Sequence, residues 1–329
     1  MRRGAAVSVL GGGAWGTALA LAAERAGCRV TLCMRNAEQA DAINATGENT
    51  AYLPGVALPA AIKISADMRD IGAGDLVIAA VPAQSLRGVI SNIASHVKLH
   101  APIVVAAKGI EQTSGHFLSD VINEILPQNP AALLSGPSFA TDVARGLPTA
   151  VTLAAKDDRL AQQIAGVLAS PTFRLYHTDD LRGAEIGGAA KNVLAIAAGI
   201  TAGRGLGASA SAALIARGFA ELTRFGLAYG ARPETLMGLS GLGDLILTCN
   251  SSQSRNFSLG LNLGRGMSVS EAMDGKLAEG VYTASVLVKM AKAKGVDMPI
   301  AMSVDAVLSG HLTIGDAIDA LLARPSKAE

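Results

Sequence analysis

Short apolar runs alternate with amphipathic stretches over the first 180 residues, and only helical patterns follow. Residues 5–10 (AAVSVL) predict a strand that runs into Gly11-Gly12-Gly13-Ala14-Trp15-Gly16. A helix over 17–26 and a second strand over 29–34 come next. The alternation continues with a helix over 37–45 and a polar loop over 47–55. Then come a strand over 75–82 that ends at Pro82, an amphipathic helix over 85–97, and a buried strand over 102–107. A helix over 113–126, a strand over 131–134, and strands over 150–155 and 172–177 around a helix over 158–168 complete the series. This pattern predicts an α/β fold with a parallel sheet. Beyond Asp179-Asp180 no convincing strand pattern remains. A first strand that runs through G-x-G-x-x-G into a helix and a second strand makes residues 1–180 read as a Rossmann-type dinucleotide-binding domain. An all-helical domain over 181–329 is left to carry the substrate, with residues 324–329 as a loose tail.

The helical half opens on the run IGGAAKNVLAIAAGITAG, in which Lys191 is the single charge and Asn192 is its neighbour. It is apolar on nearly every face, the pattern of a helix buried inside a protein. An ammonium there loses hydration, so its neutral form comes within reach. Lys191 is thus a candidate proton carrier. Two blander readings stand beside it: a lysine that snorkels to water, and a membrane span. The polar pair at mid-run, the many small residues and the lack of a second such run argue against the span.

Composition narrows the picture. With 329 residues the chain can build two domains, and a core with only 3 % aromatics must be made of small aliphatics. A net charge of +1 gives no reason to expect nucleic acid or an anionic membrane as partner. Five histidines and Cys28, Cys33 and Cys249 lack metal-ligand spacing, so no metal is expected. An odd cysteine count without C-x-x-C suits a reducing compartment, and the start reads as a first strand rather than a signal peptide. Together these imply a cytoplasmic soluble protein.

Strand, G-x-G-x-x-G, helix, strand is the dinucleotide fingerprint in its required context. Gly11 permits the tight turn, Gly13 lets backbone approach a pyrophosphate, and Gly16 lets helix and strand pack. The phosphates would meet free N–H groups at the helix start. At the end of the second strand an NAD-selective site carries an acid, but here Arg35-Asn36 stand, with no acid before Glu38. A guanidinium suits a 2′-phosphate, which favours NADPH over NADH. Lys108 and the Gly136-Pro137-Ser138 turn lie beyond carboxyl ends of strands, where ligands bind in open α/β sheets.

The chain resembles the bacterial NAD(P)-dependent sn-glycerol-3-phosphate dehydrogenase family over essentially its whole length. The resemblance is carried by GGGAWGTALA, Ala107-Lys108-Gly109, Ser135-Gly136-Pro137-Ser138-Phe139-Ala140 and Gly188-Ala189-Ala190-Lys191-Asn192. Gly241-Leu242-Gly243-Asp244, Thr248-Cys249-Asn250, Ser254-Arg255-Asn256 and Glu279-Gly280 add to it. It implies that Lys191 exchanges the proton at the substrate's secondary oxygen, with Asp244 and Lys108 as neighbours. It implies substrate contacts at Gly136 and Ser138, and a phosphate clasp from Ser254, Arg255 and Asn256. Cofactor contacts are implied at Ala14, Trp15, Arg35, Lys108, Ala140, Arg255, Leu277 and Glu279. The implied reaction reduces dihydroxyacetone phosphate to sn-glycerol 3-phosphate with NADPH or NADH, supplying glycerophospholipid synthesis, and a homodimer is a candidate assembly. Two departures stand out: Ala14 where the family often has serine, and Ala208-Ser209-Ala210-Ser211 where it tends towards Asn and Lys.

The residues themselves leave rivals open. A related lysine-using β-hydroxyacid dehydrogenase would share the plan, and a dinucleotide-sensing regulator without turnover would have no need of a buried Lys191. Asp244 taken alone reads equally as a helix cap, and Arg255 taken alone reads more readily as a surface arginine.

Overall fold

The computed structural model describes residues 4–275 and 277–325. Eight strands form one sheet: β1 (Ala6–Leu10), β2 (Arg29–Cys33), β3 (Lys63–Ser65), β4 (Leu76–Ala79), β5 (Ile103–Val105), β6 (Ala131–Ser135), β7 (Thr149–Ala155) and β8 (Phe173–Thr178). Their order is β3-β2-β1-β4-β5-β6-β7-β8, and every pairing is parallel except β6 with β7. Period-two alternation sends successive side chains to opposite faces. Val7, Val9, Ile78 and Val104 pack into one apolar layer, while Leu10, Val77, Ala79, Ile103 and Val105 pack into the other. Both faces are covered, which is why these strands read as continuous apolar runs.

The chain divides into two compact units. One comprises the residues up to Lys108 together with His116–Glu185; the other comprises Gly109–Gly115 and the residues from Ile186 on. The second unit is helical, with no strand among its described residues. The boundary falls inside the long helix Leu181–Gly203. Its first turn is tied into the earlier unit, where Glu185 accepts from the Ser119 N–H at 2.9 Å and the Ser119 hydroxyl at 3.0 Å. An 18-residue window of this helix is 89 % buried, so its apolar faces meet protein.

Several expectations need correction. The helix expected over 113–126 spans only Leu118–Ile125, because Gly109–Gly115 folds with the later unit. The helix expected over 85–97 ends at Ile93. The edge strand β3 and the short helix Ala140–Ala144 were not anticipated. β3 is three residues long, too short for its alternation to register. Of the expected tail, residues 326–329 lie outside the described residues.

In the helical unit, Glu221 is buried at 2 % exposure. Its two carboxyl oxygens accept from the N–H groups of Ile300 at 2.8 Å and Ala301 at 3.2 Å, in the first turn of the helix Pro299–Leu308. Burial pushes its carboxyl from the ordinary 4.5 up to about 7, against the opposing pull of those N–H groups. Between these two values the folded chain holds a proton that the unfolded chain releases. The stabilisation is therefore complete below about pH 4.5 and lost as pH rises to about 7. Glu221→Gln does not titrate. The stability of the wild type relative to this variant should fall by ~1–3 kcal/mol from pH 4.5 to pH 7.5. Paired denaturant melts check this, and a pH-independent difference contradicts it.

Candidate active site

The sheet-containing unit brings one set of candidates together beyond the strand ends. Gly11 has φ +126°, and a Cβ there would stand 2.5 Å from the Ala80 carbonyl oxygen. A Cβ on Gly16 would stand 1.9 Å from the carbonyl oxygen of Gly11, so only glycine lets the helix Ala14–Arg25 meet the turn. Gly13 differs, with nothing within 4 Å of its Cβ position. It is the N-cap of that helix, with no side-chain cap and no acid in the first turn. Its open side therefore offers backbone N–H groups and a positive dipole end to an anion. Ala14 opens the helix, and Trp15 spends its indole N–H on the Ala106 carbonyl at 3.1 Å. Trp15 thus ties the helix start to the strand end at β5.

Arg35 lies exposed just past β2, with no ion-pair partner among the described residues. Asn36 caps the following helix by accepting from the Gln39 N–H at 3.0 Å. Beyond β5 and β6, Lys108 donates to the Gly136 carbonyl at 2.9 Å, and the Ser138 hydroxyl donates to the same oxygen at 3.0 Å. Lys108, Gly136 and Ser138 are thus one cluster. Ala140 begins the helix Ala140–Ala144 just after it.

The helical unit holds the second set. Lys191 is 6 % exposed and Asp244 is 1 % exposed. The Lys191 Nζ lies 3.0 Å from Asp244 Oδ1 and donates to the Thr248 hydroxyl at 2.7 Å. Thr248 in turn donates to the Asp244 backbone carbonyl at 2.6 Å. The snorkelling alternative fails on this burial, and so does a capping role for Asp244, whose side chain faces Lys191. The burial has a backbone cause. A Cβ on Gly187 would stand 2.5 Å from the Ser240 carbonyl oxygen, so this face of the long helix touches the π-helical turn Leu239–Gly243 directly. That turn leads into Asp244, which pairs with Lys191, one helical turn on from Gly187. The neighbouring Cys249 thiol is pushed up to about 12 by burial.

A second close approach positions Ser254, Arg255 and Asn256. A Cβ on Gly199 would stand 2.1 Å from the Phe257 carbonyl oxygen, and one on Gly260 would stand 2.0 Å from that of Ile196. The helices Leu181–Gly203 and Arg255–Gly264 therefore meet backbone to backbone. Asn256 donates to Asn192 Oδ1 at 3.0 Å and accepts from the Gly280 N–H at 2.9 Å. Ser254 caps its helix by accepting from the Phe257 N–H at 3.2 Å. Arg255 is exposed at the first helical position. Of these three residues, then, Arg255 is exposed while Ser254 and Asn256 already hold local structure. Glu279 opens the helix Glu279–Ala293 beside Gly280, and Leu277 is half-buried just before it.

Sequence reasoning passed over Thr248 and Asn192 as site residues. Thr248 is four residues past Asp244, one turn along the same face, which is the spacing that could have found it.

A family model described as the NAD-dependent glycerol-3-phosphate dehydrogenase N-terminus matches residues 6–161, and the model for the C-terminus matches residues 180–319. A glycerol-3-phosphate dehydrogenase, NAD(P)+, of Methylobacterium radiotolerans is 56 % identical over 98 % of each chain. One of Bradyrhizobium diazoefficiens is 57 % identical, again over 98 % of each. Among solved structures, the glycerol-3-phosphate dehydrogenase of Coxiella burnetii matches with a TM-score of 0.93 and 37 % identity, over 98 % of this chain and 100 % of that one. A match of this extent across both units leaves no room for the β-hydroxyacid or regulator alternatives, and the chain belongs to the NAD(P)-dependent glycerol-3-phosphate dehydrogenase family.

Proposed function

We propose that this chain interconverts dihydroxyacetone phosphate and sn-glycerol 3-phosphate, with Lys191 as the proton donor and acceptor. The observation that carries this assignment of chemistry is the buried Lys191 Nζ, held 3.0 Å from Asp244 and 2.7 Å from the Thr248 hydroxyl. NADPH or NADH supplies the hydride. Lys191 gives its proton to the ketone oxygen as that oxygen gains charge, and takes one back in the reverse direction. Positioned acid–base catalysis of this kind contributes on the order of 10² to 10⁴ in rate. Asp244 and Thr248 fix the ammonium in place and share its charge. Asn192, gripped by Asn256, sets the next position along the same helix.

The roles of the other candidates follow the same logic. Gly11, Gly13 and Gly16 shape the turn that receives the diphosphate, with Ala14 and Trp15 at the helix start. Lys108, Gly136 and Ser138 form a polar edge for the substrate. Arg255 supplies the guanidinium for the substrate phosphate, supported by Ser254 and Asn256, and also reaches the cofactor. Ala140, Leu277 and Glu279 complete the cofactor contacts. In this reading residues 1–180 carry the cofactor and residues 181–329 the substrate. The product feeds glycerophospholipid synthesis in the cytoplasm, and the working assembly is a homodimer without a membrane segment.

The test is oxidation of NADPH on adding dihydroxyacetone phosphate, compared with dihydroxyacetone, in wild type and Arg255→Leu. A charge-assisted hydrogen bond is worth roughly 1.5–3 kcal/mol. Arg255→Leu should therefore raise the Michaelis constant for the phosphorylated ketone about ten- to a hundredfold and barely change the poor use of dihydroxyacetone. Equal impairment of both ketones removes Arg255 as the phosphate ligand.

The exposed Arg35 should favour NADPH through its 2′-phosphate. Arg35→Asp should turn the preference towards NADH, because a carboxylate repels phosphate and accepts from ribose hydroxyls. Catalytic efficiency with each cofactor measures this, and an unchanged ratio shows that Arg35 faces only water.

A further inference from the structure

The carbonyl of Gly12, in the middle of the glycine turn, is held from two directions. Gln39 Nε2 donates to it at 2.7 Å and Asn49 Nδ2 donates to it at 3.0 Å. The same Asn49 Nδ2 donates to the Thr17 hydroxyl at 2.8 Å, and Gln39 Nε2 also donates to Asn49 Oδ1 at 3.2 Å. Two primary amides thus close a ring of hydrogen bonds around one peptide of the turn. Asn49 is 1 % exposed although it belongs to a polar loop. Its own backbone carbonyl is fixed as well, accepting from the Leu53 N–H at 2.8 Å.

The Gly12 carbonyl belongs to the peptide whose N–H is that of Gly13. A trans peptide is planar, so its C=O and N–H point in opposite directions. Fixing the carbonyl towards Asn49 and Gln39 fixes the Gly13 N–H away from them. Gly13 has nothing within 4 Å of its Cβ position, so that neighbourhood is open to a ligand. Glycine has the widest choice of backbone conformations, and two successive glycines could rotate this peptide at little cost. Something outside the turn has to choose its orientation.

We infer that Asn49 and Gln39 are positioning residues for cofactor binding, which lock the Gly12–Gly13 peptide with its N–H presented to the cofactor's diphosphate. They touch the turn and not the reacting atoms. Their contribution is preorganisation, so its loss should appear in cofactor affinity. The inference rests on NAD(P)H as the ligand of this turn, and titration of the wild type with NADPH tests that premise separately.

The experiment is nicotinamide fluorescence titration of the ligand-free full chain with NADPH and NADH, for wild type, Gln39→Ala and Asn49→Ala, with melting temperatures of the same samples. A neutral hydrogen bond is worth roughly two- to tenfold in an equilibrium. Gln39→Ala should weaken both cofactors about three- to tenfold, and Asn49→Ala about tenfold or more. The Michaelis constant for the cofactor should rise in parallel while that for the ketone moves little. Gln39 is half-buried, so its truncation leaves a folded protein even where loss of Asn49 does not. If Gln39→Ala binds NADPH and NADH as wild type does, the inference is wrong. It is equally wrong if Asn49→Ala lowers only the melting temperature, which would make Asn49 a loop anchor and nothing more.

Discussion

A charge buried in an apolar helix has to be answered nearby. The helix Leu181–Gly203 carries Lys191 at only 6 % exposure, and an isolated ammonium there would cost several kcal/mol. Asp244 and Thr248 answer it at 3.0 and 2.7 Å. Removing one partner of such a buried pair typically costs about 3–5 kcal/mol, whereas an apolar pair in its place is often neutral or stabilising. Stability alone therefore does not explain the pair, and the proposed proton transfer gives it a purpose.

The rest of the helical unit makes that pair geometrically available. Side chains normally keep helix axes about 8–10 Å apart. Glycine at 187, 199 and 260 removes the spacer, and the backbones of the π-helical turn and of the helix Arg255–Gly264 come directly against the lysine helix. The polar ends of those elements then fall where they are needed: Asp244 on Lys191, and Asn256 on Asn192. The same device serves the other unit, where Gly11 and Gly16 bring the first helix onto the strand ends and Gly13 leaves its side open. The low aromatic content belongs to this design, since backbones that touch leave small spaces to fill.

Much of this was legible in the residues. Glycine turn, strand and helix follow one another at spacings fixed by local geometry, so the dinucleotide unit could be read by pattern. The lysine helix stood out because a single charge in an apolar run is costly unless a partner meets it. What escaped depends on distant partners. Residues 113–115 look like the entry to a helix until the whole stretch 109–115 is found with the later unit, where Gln112 reaches Ser285 at 3.4 Å. Asn49 reads as loop polarity, and its burial against Gly12, Thr17 and Gln39 shows only in the fold. Ser254 and Asn256 were readable as polar residues near a site, but not as groups whose hydrogen bonds are partly committed to a cap and to Gly280.

The central claim is that Lys191 delivers the proton, and chemical rescue tests it most directly. Lys191→Ala empties the position beside Asp244 and Thr248 while leaving the glycine turn untouched. The account predicts that turnover of dihydroxyacetone phosphate falls by at least about a hundredfold with NADPH binding retained. It further predicts that small primary ammonium ions restore part of the rate, saturably and in an order that follows their acidity and size. Turnover within about tenfold of wild type in the absence of added amine, below the usual effect of a general acid, would contradict it.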